Sequence, residues 1–364
     1  DIDKALPNVK QTVTLPNPKD VEMQQQQVAQ KALEPVDIQR NEDGSADITF
    51  DPRMVNPGED KGHFANLAEL LPDDVIDPLG HKLYGDYMDY KNSRKDWERA
   101  YISGLDLLGF KYEDRSEPFK GASGASHPVL AEAVTQFQSL AYKELLPSNG
   151  PVRAQILGMP TPQKEQQAGR VKDYMNWQIM DQMKEYEPEF DQMLFNLPLA
   201  GSTFKKIYYD DLMQRAVSKF VPADDLVVPY TATSLDDCES VIHIIRMTEN
   251  ELRKKQVGGF YRDIEVNPSY MQETEIQKKE RALEGAVKGR DERMFTILEC
   301  HVNVDLEGFE DMDPTNGEPT GIKLPYIVAI EEGTRKVLSI RRNYDVKDMM
   351  KKKIDYFVHF KFLP

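Results

Sequence analysis

Cysteine is nearly absent from this chain: of 364 residues only Cys238 and Cys300 carry a thiol. Two cysteines build no disulfide scaffold, and their spacing is not that of a zinc site, so both read as small buried hydrophobes. Long apolar runs are missing too. None approaches the roughly 18 to 20 residues that cross a bilayer, and the first residues lack the basic-then-apolar pattern of a secretory signal. The expectation is a soluble chain made in the cytoplasm, with no membrane contact. Positive charge is in deficit, with 46 lysines and arginines against 62 acids and a formal net charge of -16. Such a surface does not grip nucleic acid irrespective of sequence, which takes clustered cations, although a polyanion can slide past a repelling wall. Catalytic signatures are lacking as well. There is no nucleophile elbow, no His-Glu-x-x-His and no Walker sequence, and the six histidines stand singly. No catalytic, cofactor-binding or metal-ligating residue is therefore assigned, and the chain reads as a protein that is not an enzyme.

Five stretches invite a chemical reading and have a plainer one. Gly121 to Ser126 is glycine-rich and precedes a helix, but no lysine follows Gly124 and Glu113 to Phe119 is too charged for the strand of a dinucleotide fold; it reads as a loop. Asp224-Asp225 has no third carboxylate or histidine at ligand spacing, so a turn with Asx hydrogen bonds is expected. His243 has no second histidine or cysteine near it in sequence and reads as a satisfied core or interface side chain. In the acidic loop Asp305 to Gly317, Asp311 and Asp313 match the first spacing of a calcium loop, yet the glycine is displaced to Gly317 and position twelve is Ile322. Trp97, Tyr101 and Leu105 recur at steps of four, which marks a core stripe rather than a platform for bases.

What is present is a succession of helix and strand signals. Asp1 to Asp60 carries six prolines, a glutamine run and few large apolar residues, the composition of an extended arm that orders only on other subunits. Within it Val21 to Leu33 has helical character and Asp47 to Phe50 could pair as a strand. Residues 61–200 read as mainly helical. An amphipathic piece from Phe64 to Leu71 stops at Pro72, and a second runs from Leu83 to Phe110 with Gly109 as its stop. A helix opened by Ser126 or His127 and Pro128 carries Leu130, Val134, Phe137, Ala141 and Leu145 on one face. Thr161 caps another, Pro162 takes its first position, and Val171, Met175, Ile179 and Met183 form a methionine-rich packing seam. A hinge at Glu187-Pro188 starts a third, with Phe190, Leu194 and Leu197, that ends at Pro198. Residues 201–364 read as α+β. Thr203 to Tyr209 and Gln214 to Val221 form a hairpin, Leu226 to Val228 a short return, and Val241 to Met247 a strand running into the capping box Thr248-Glu251. After a charged excursion, Tyr270 to Arg293, come strands Phe295 to Val304, Leu324 to Ile330, Lys336 to Ile340 and Tyr356 to Phe362. The chain stops within this last strand, which reads as a fragment or as a chain ordered only this far. The fold class expected is α+β, a helical layer packed beside antiparallel hairpins.

One resemblance spans most of these elements. The runs ASGASHPVLAEAVTQFQSLAYKELLPSNGPVR, LPLAGSTFKKIYYD, FVPADDLVVPY, SVIHIIRMTENELRKKQVGGFYRD and YFVHFKFLP, in that order, resemble segments of the portal proteins of tailed bacteriophages. The likeness covers about Lys111 to Pro364 and leaves out the first eighty or so residues. It implies a wing-like fold and a structural subunit of the head-to-tail connector. In that family twelve copies form a homo-oligomeric ring at one capsid vertex of the virion, bound by the major capsid protein. The ring docks the terminase motor during genome packaging and later holds neck and tail adaptors. Double-stranded DNA passes through it in packaging and ejection without sequence-specific binding. The family's stem, clip and crown elements are not evident before Pro364. The resemblance supplies no catalytic residue. Two other readings are a neck adaptor, which should be shorter, and a metal-dependent hydrolase, which should cluster its acids.

Overall fold

The computed structural model describes residues 36–40, 46–50, 62–108, 119–121, 124, 127–210, 213–266, 274–284, 294–312, 317–345, 348 and 350–362. The chain divides into two compact units, Asp1–Ala65 and Asn66–Pro364. In the first, β1 (Val36–Arg40) pairs antiparallel with β2 (Ala46–Phe50), placing Ile38 opposite Ile48. The strand expected at Asp47 to Phe50 is present, and its partner β1 was not anticipated. The helix expected over Val21 to Leu33 lies outside the described residues, as do Gly109, most of the Gly121 to Ser126 loop, and Asp313.

The second unit mixes helices with two antiparallel sheets. One sheet has three strands, ordered β10 (Phe357–Lys361), β3 (Ser202–Asp210) and β4 (Arg215–Val221). The other runs β5 (Leu226–Val227), β6 (Ser240–Thr248), β7 (Met294–Val304), β8 (Leu324–Glu331) and β9 (Val337–Arg342). Side chains alternate across a pleated strand, so each face can be read from register. Ile242 lies opposite Cys300 and Ile244 opposite Leu298, on the face that carries the largest core. Helix α1 (Asp73–Ser93) covers that core with Ile76, Leu83 and Tyr87. The other face presents Met247, Ile245, His243 and Val241 opposite Phe295, Ile297, Glu299 and His301. Its apolar end is closed by Leu252 of α6 (Glu249–Val257) and by Tyr261; its polar end meets the small sheet. The small sheet turns its far face to α3 (Val129–Leu145) and α5 (Tyr186–Ala200), where Phe190, Met193 and Leu194 pack with Phe220 and Phe360. Helix α1, large sheet, small sheet and α3 with α5 therefore stack in sequence.

Sheet ends and helix ends are closed by specific polar groups. Asn66 accepts from the Ala68 and Ile340 N–H groups and donates to the Leu338 carbonyl at 3.1 Å, so one amide caps the turn Leu67–Glu69 and part of the β9 edge. The Glu331 carboxylate accepts from the N–H groups of Gly333 and Thr334 and from the Thr334 hydroxyl, closing the β8–β9 hairpin. The Thr248-Glu251 capping box is formed as its sequence predicts.

Several helix boundaries differ from their sequence signals. The piece expected over Phe64 to Leu71 shrinks to the turn Leu67–Glu69, and Pro72 caps α1 rather than ending a helix. The helix expected from Leu83 to Phe110 is two, because the chain breaks at Arg94 before α2 (Lys95–Leu108). There the Arg94 guanidinium donates to the carbonyls of Ala223, Asp224 and Leu226. Pro128 is itself the cap of α3, with no side-chain hydrogen bond. Helix α4 (Pro162–Trp177) is capped by Thr161 as expected, but it ends in a π turn at Gln178–Gln182, so the hinge lies before Glu187-Pro188. Pro198 sits inside α5, which instead stops at Gly201 in the left-handed conformation, φ 77°.

Candidate functional site

The polar end of the large sheet carries the densest charge cluster of the core. Glu299 and His301 are two apart on β7 and so share a face, and antiparallel pairing sets His243 of β6 opposite Glu299. Lys206 descends from β3 and places its ammonium 2.5 Å from Glu299 Oε1. His301 Nε2 lies 2.8 Å from the same oxygen and, as the Nε2–H tautomer, donates to it. His243 Nδ1 stands 3.9 Å away, too far for a hydrogen bond, and has no partner among the described residues. Phe357 of β10 sets its ring edge-on to both imidazoles, with centroids at 5.6 and 5.1 Å. Burial works to raise the Glu299 pKa, but Lys206 and the two histidines outweigh it and hold the carboxyl well below its ordinary value. Burial lowers His243, with Glu299 opposing.

His243 was expected to be a satisfied core or interface histidine, with no second histidine or cysteine near it in sequence. The structure brings His301 beside it across a strand pair, and its Nδ1 is not satisfied. The sequence signal that could have found part of this is the alternation along β6 and β7, which puts His243 on the face that also carries Glu299 and His301.

A second charge is buried on the far face of the small sheet. Lys205 is 3% exposed, and its ammonium sits 3.8 Å from the Tyr186 ring centroid with no hydrogen-bond acceptor among the described residues. Burial pushes this amine down to about 8, against the opposing pull of Glu189 and Glu185.

The other stretches singled out in sequence resolve into structural roles. Asp224-Asp225 lie in a turn as expected, closed by the Asp225 N–H donating to the Pro222 carbonyl at 3.1 Å, but the Asp225 carboxylate forms a two-point ion pair with Arg246 instead of Asx hydrogen bonds, its oxygens 2.6 and 3.0 Å from the guanidinium. Beside it Asp224 is pushed up to about 6 by burial first and by Asp225 second, with Arg246 and Arg94 opposing. Asp311 is engaged by Lys351 and by the Thr320 hydroxyl. Cys238 and Cys300 are both buried free thiols. Trp97 stacks on Tyr101 at 5.4 Å and donates its indole N–H to the Ala200 carbonyl, so the aromatic stripe of α2 is core. Among the described residues no group of three or more His, Cys, Asp or Glu side chains is arranged to hold a metal ion, and no helix is long and apolar enough to cross a membrane.

One surface stands out by what it leaves uncovered. Helix α4 has no buried residue, and Val171, Tyr174, Met175 and Trp177 are all exposed, with the Tyr174 and Trp177 rings 5.7 Å apart. Of the seam expected to pack within the layer, Met183 is buried and Ile179 half-buried, whereas Val171 and Met175 face outward, joined by Leu157 and Met159 of the preceding loop. Spacing by four identifies an apolar face, and α4 shows that it does not say which surface covers it.

No protein-family model and no curated protein matches the chain.

Proposed function

We propose that the chain is a structural subunit of a tailed-phage portal ring, contributing to the wing of the conduit through which the genome is packaged and ejected. The observation that carries this reading is spatial. The five segments that resemble portal proteins are far apart in sequence, yet they form α3, the end of α5 with β3, the β4–β5 corner, β6 with α6, and β10. α3, α5 and the strands meet through the small sheet and the apolar clusters on its two faces, and α6 follows directly from β6. Segments that are separate in sequence and meet around one sheet are what a shared fold element produces.

Two further features favour a structural role over catalysis. Among the described residues the buried carboxylates Glu299 and Asp225 are each held in an ion pair, by Lys206 and by Arg246, which suits a structural role better than acid–base chemistry. The apolar face of α4 also suits a chain whose folded unit is completed by neighbours, since a lone helix of this length gains little from propensity alone. The ring would hold capsid, motor and neck or tail proteins in turn, and pass double-stranded DNA without reading its sequence. Negative-stain imaging of the full-length protein tests the reading. Ring-shaped particles with twelvefold symmetry are expected, and uniformly monomeric particles would overturn it.

A further inference from the structure

We propose that the junction between the two sheets is an acid-sensitive latch, in which protonation of His243 releases the small sheet from the large one. The inference does not depend on what the chain assembles into. It rests on the geometry of the seam, where only one carboxylate serves several cations.

Glu299 Oε1 already receives Lys206 at 2.5 Å and His301 at 2.8 Å, while His243 Nδ1 remains at 3.9 Å without a partner. The groups facing this point come from every element around it. From β3 come Lys206 and Tyr208, and from β4 Lys219, directly opposite Lys206 in register. Helix α6 adds Lys255, and Tyr261 follows it. Asp225 lies near but is held by Arg246. Tyr356 and Phe357 close the β10 side, with His359 two residues further on, and the small cavity beside His301 adds Glu239, Lys353 and Asp355. Lys206, Lys219 and Lys255 thus share this region, with Glu251 beside Lys255, and Glu299, the carboxylate that His243 faces, is already engaged by Lys206 before His243 takes a proton.

A proton added to His243 Nδ1 would be buried beside Lys206, with the nearest carboxylate oxygen, Glu299 Oε1, 3.9 Å away and already engaged by Lys206 and His301. Water supplies an acceptor once the sheets part. The open state therefore binds the proton at an ordinary histidine value near 6.5, while the closed state resists it. The sign follows: closure is at full strength above about pH 6.5 and weakens as pH falls below it. What moves is the small sheet with α3 and α5, because these share a core of their own on its far face. The large sheet keeps its packing on α1, which contains no part of the cluster.

Hydrogen exchange of the full chain at pH 7.5 and 5.5, corrected for intrinsic exchange rates, tests the latch. Protection of the β3 and β10 amides should fall about tenfold, the ratio one proton taken up near 6.5 produces, while β7 and β8 hold theirs. His359 titrates on the same strand, so His243→Gln is the decisive variant, with His243→Asn as a second of the same design. Either should lose most of the fall. Unchanged protection in the wild-type chain, or the same fall in both variants, would overturn the proposal.

Discussion

At Lys205 a buried amine has two aromatic rings where hydrogen-bond acceptors would normally sit. Holding its pKa near 8 instead of the ordinary 10.5 costs on the order of 3 kcal/mol at neutral pH, offset in part by attraction to the rings. Lys205→Met keeps the volume and removes the charge. It should stabilise the chain by about 1 to 3 kcal/mol in urea denaturation, and a loss of similar size would show that the amine is an anchor. The sign with pH is also fixed. Between about pH 8 and 10 the unfolded chain holds the proton that the folded one sheds, so wild-type stability should rise across that window and the variant's rise should be smaller. None of this was legible in the lysine itself. Lys205 and Lys206 are identical neighbours on an alternating strand, and only the packing of α5 on one face and β7 on the other makes one a buried orphan and its neighbour an ion-pair partner.

Elements were legible where local chemistry decides them and less so where packing does. The capping box of α6, the Thr161 cap of α4 and strands β6 to β9 lie at or within a few residues of where the sequence put them, because their signals are satisfied within a few residues or a strand pair. The break at Arg94 was not visible, since its cause is three carbonyls some 130 residues away. Gly80 is a similar case inside α1. A Cβ there would meet the Arg335 carbonyl oxygen at 2.5 Å, on the β8–β9 turn. Helix propensity favours alanine by about 1 kcal/mol, but forced displacement of a packed helix costs about 1 to 3 kcal/mol. Gly80→Ala should therefore lower the melting temperature, and an increase would mean that α1 is free to shift. The exposed face of α4 gives the opposite expectation. Tyr174→Ser with Trp177→Ser should change subunit stability by less than about 0.5 kcal/mol, as surface substitutions do, while weakening assembly measured by sedimentation. A large loss of stability would place that face in the subunit's own core.

The Asn66–Pro364 unit is a stack in which a three-stranded sheet is shared between a helical layer and a larger sheet. The α+β class was readable from the run of helix signals followed by strands. The layering was not, because β10 joins β3 from the far end of the chain and α1 crosses to cover a sheet formed after residue 225. The candidate site fared least well in sequence, since Lys206, His243, Glu299 and His301 lie on three strands with no shared motif. The proposed role makes number the central claim, because a portal subunit would function only in a closed ring. Native mass spectrometry of the full-length protein counts copies directly. A single species of twelve subunits is the predicted result, and a species that stays at one copy across the micromolar range would contradict it.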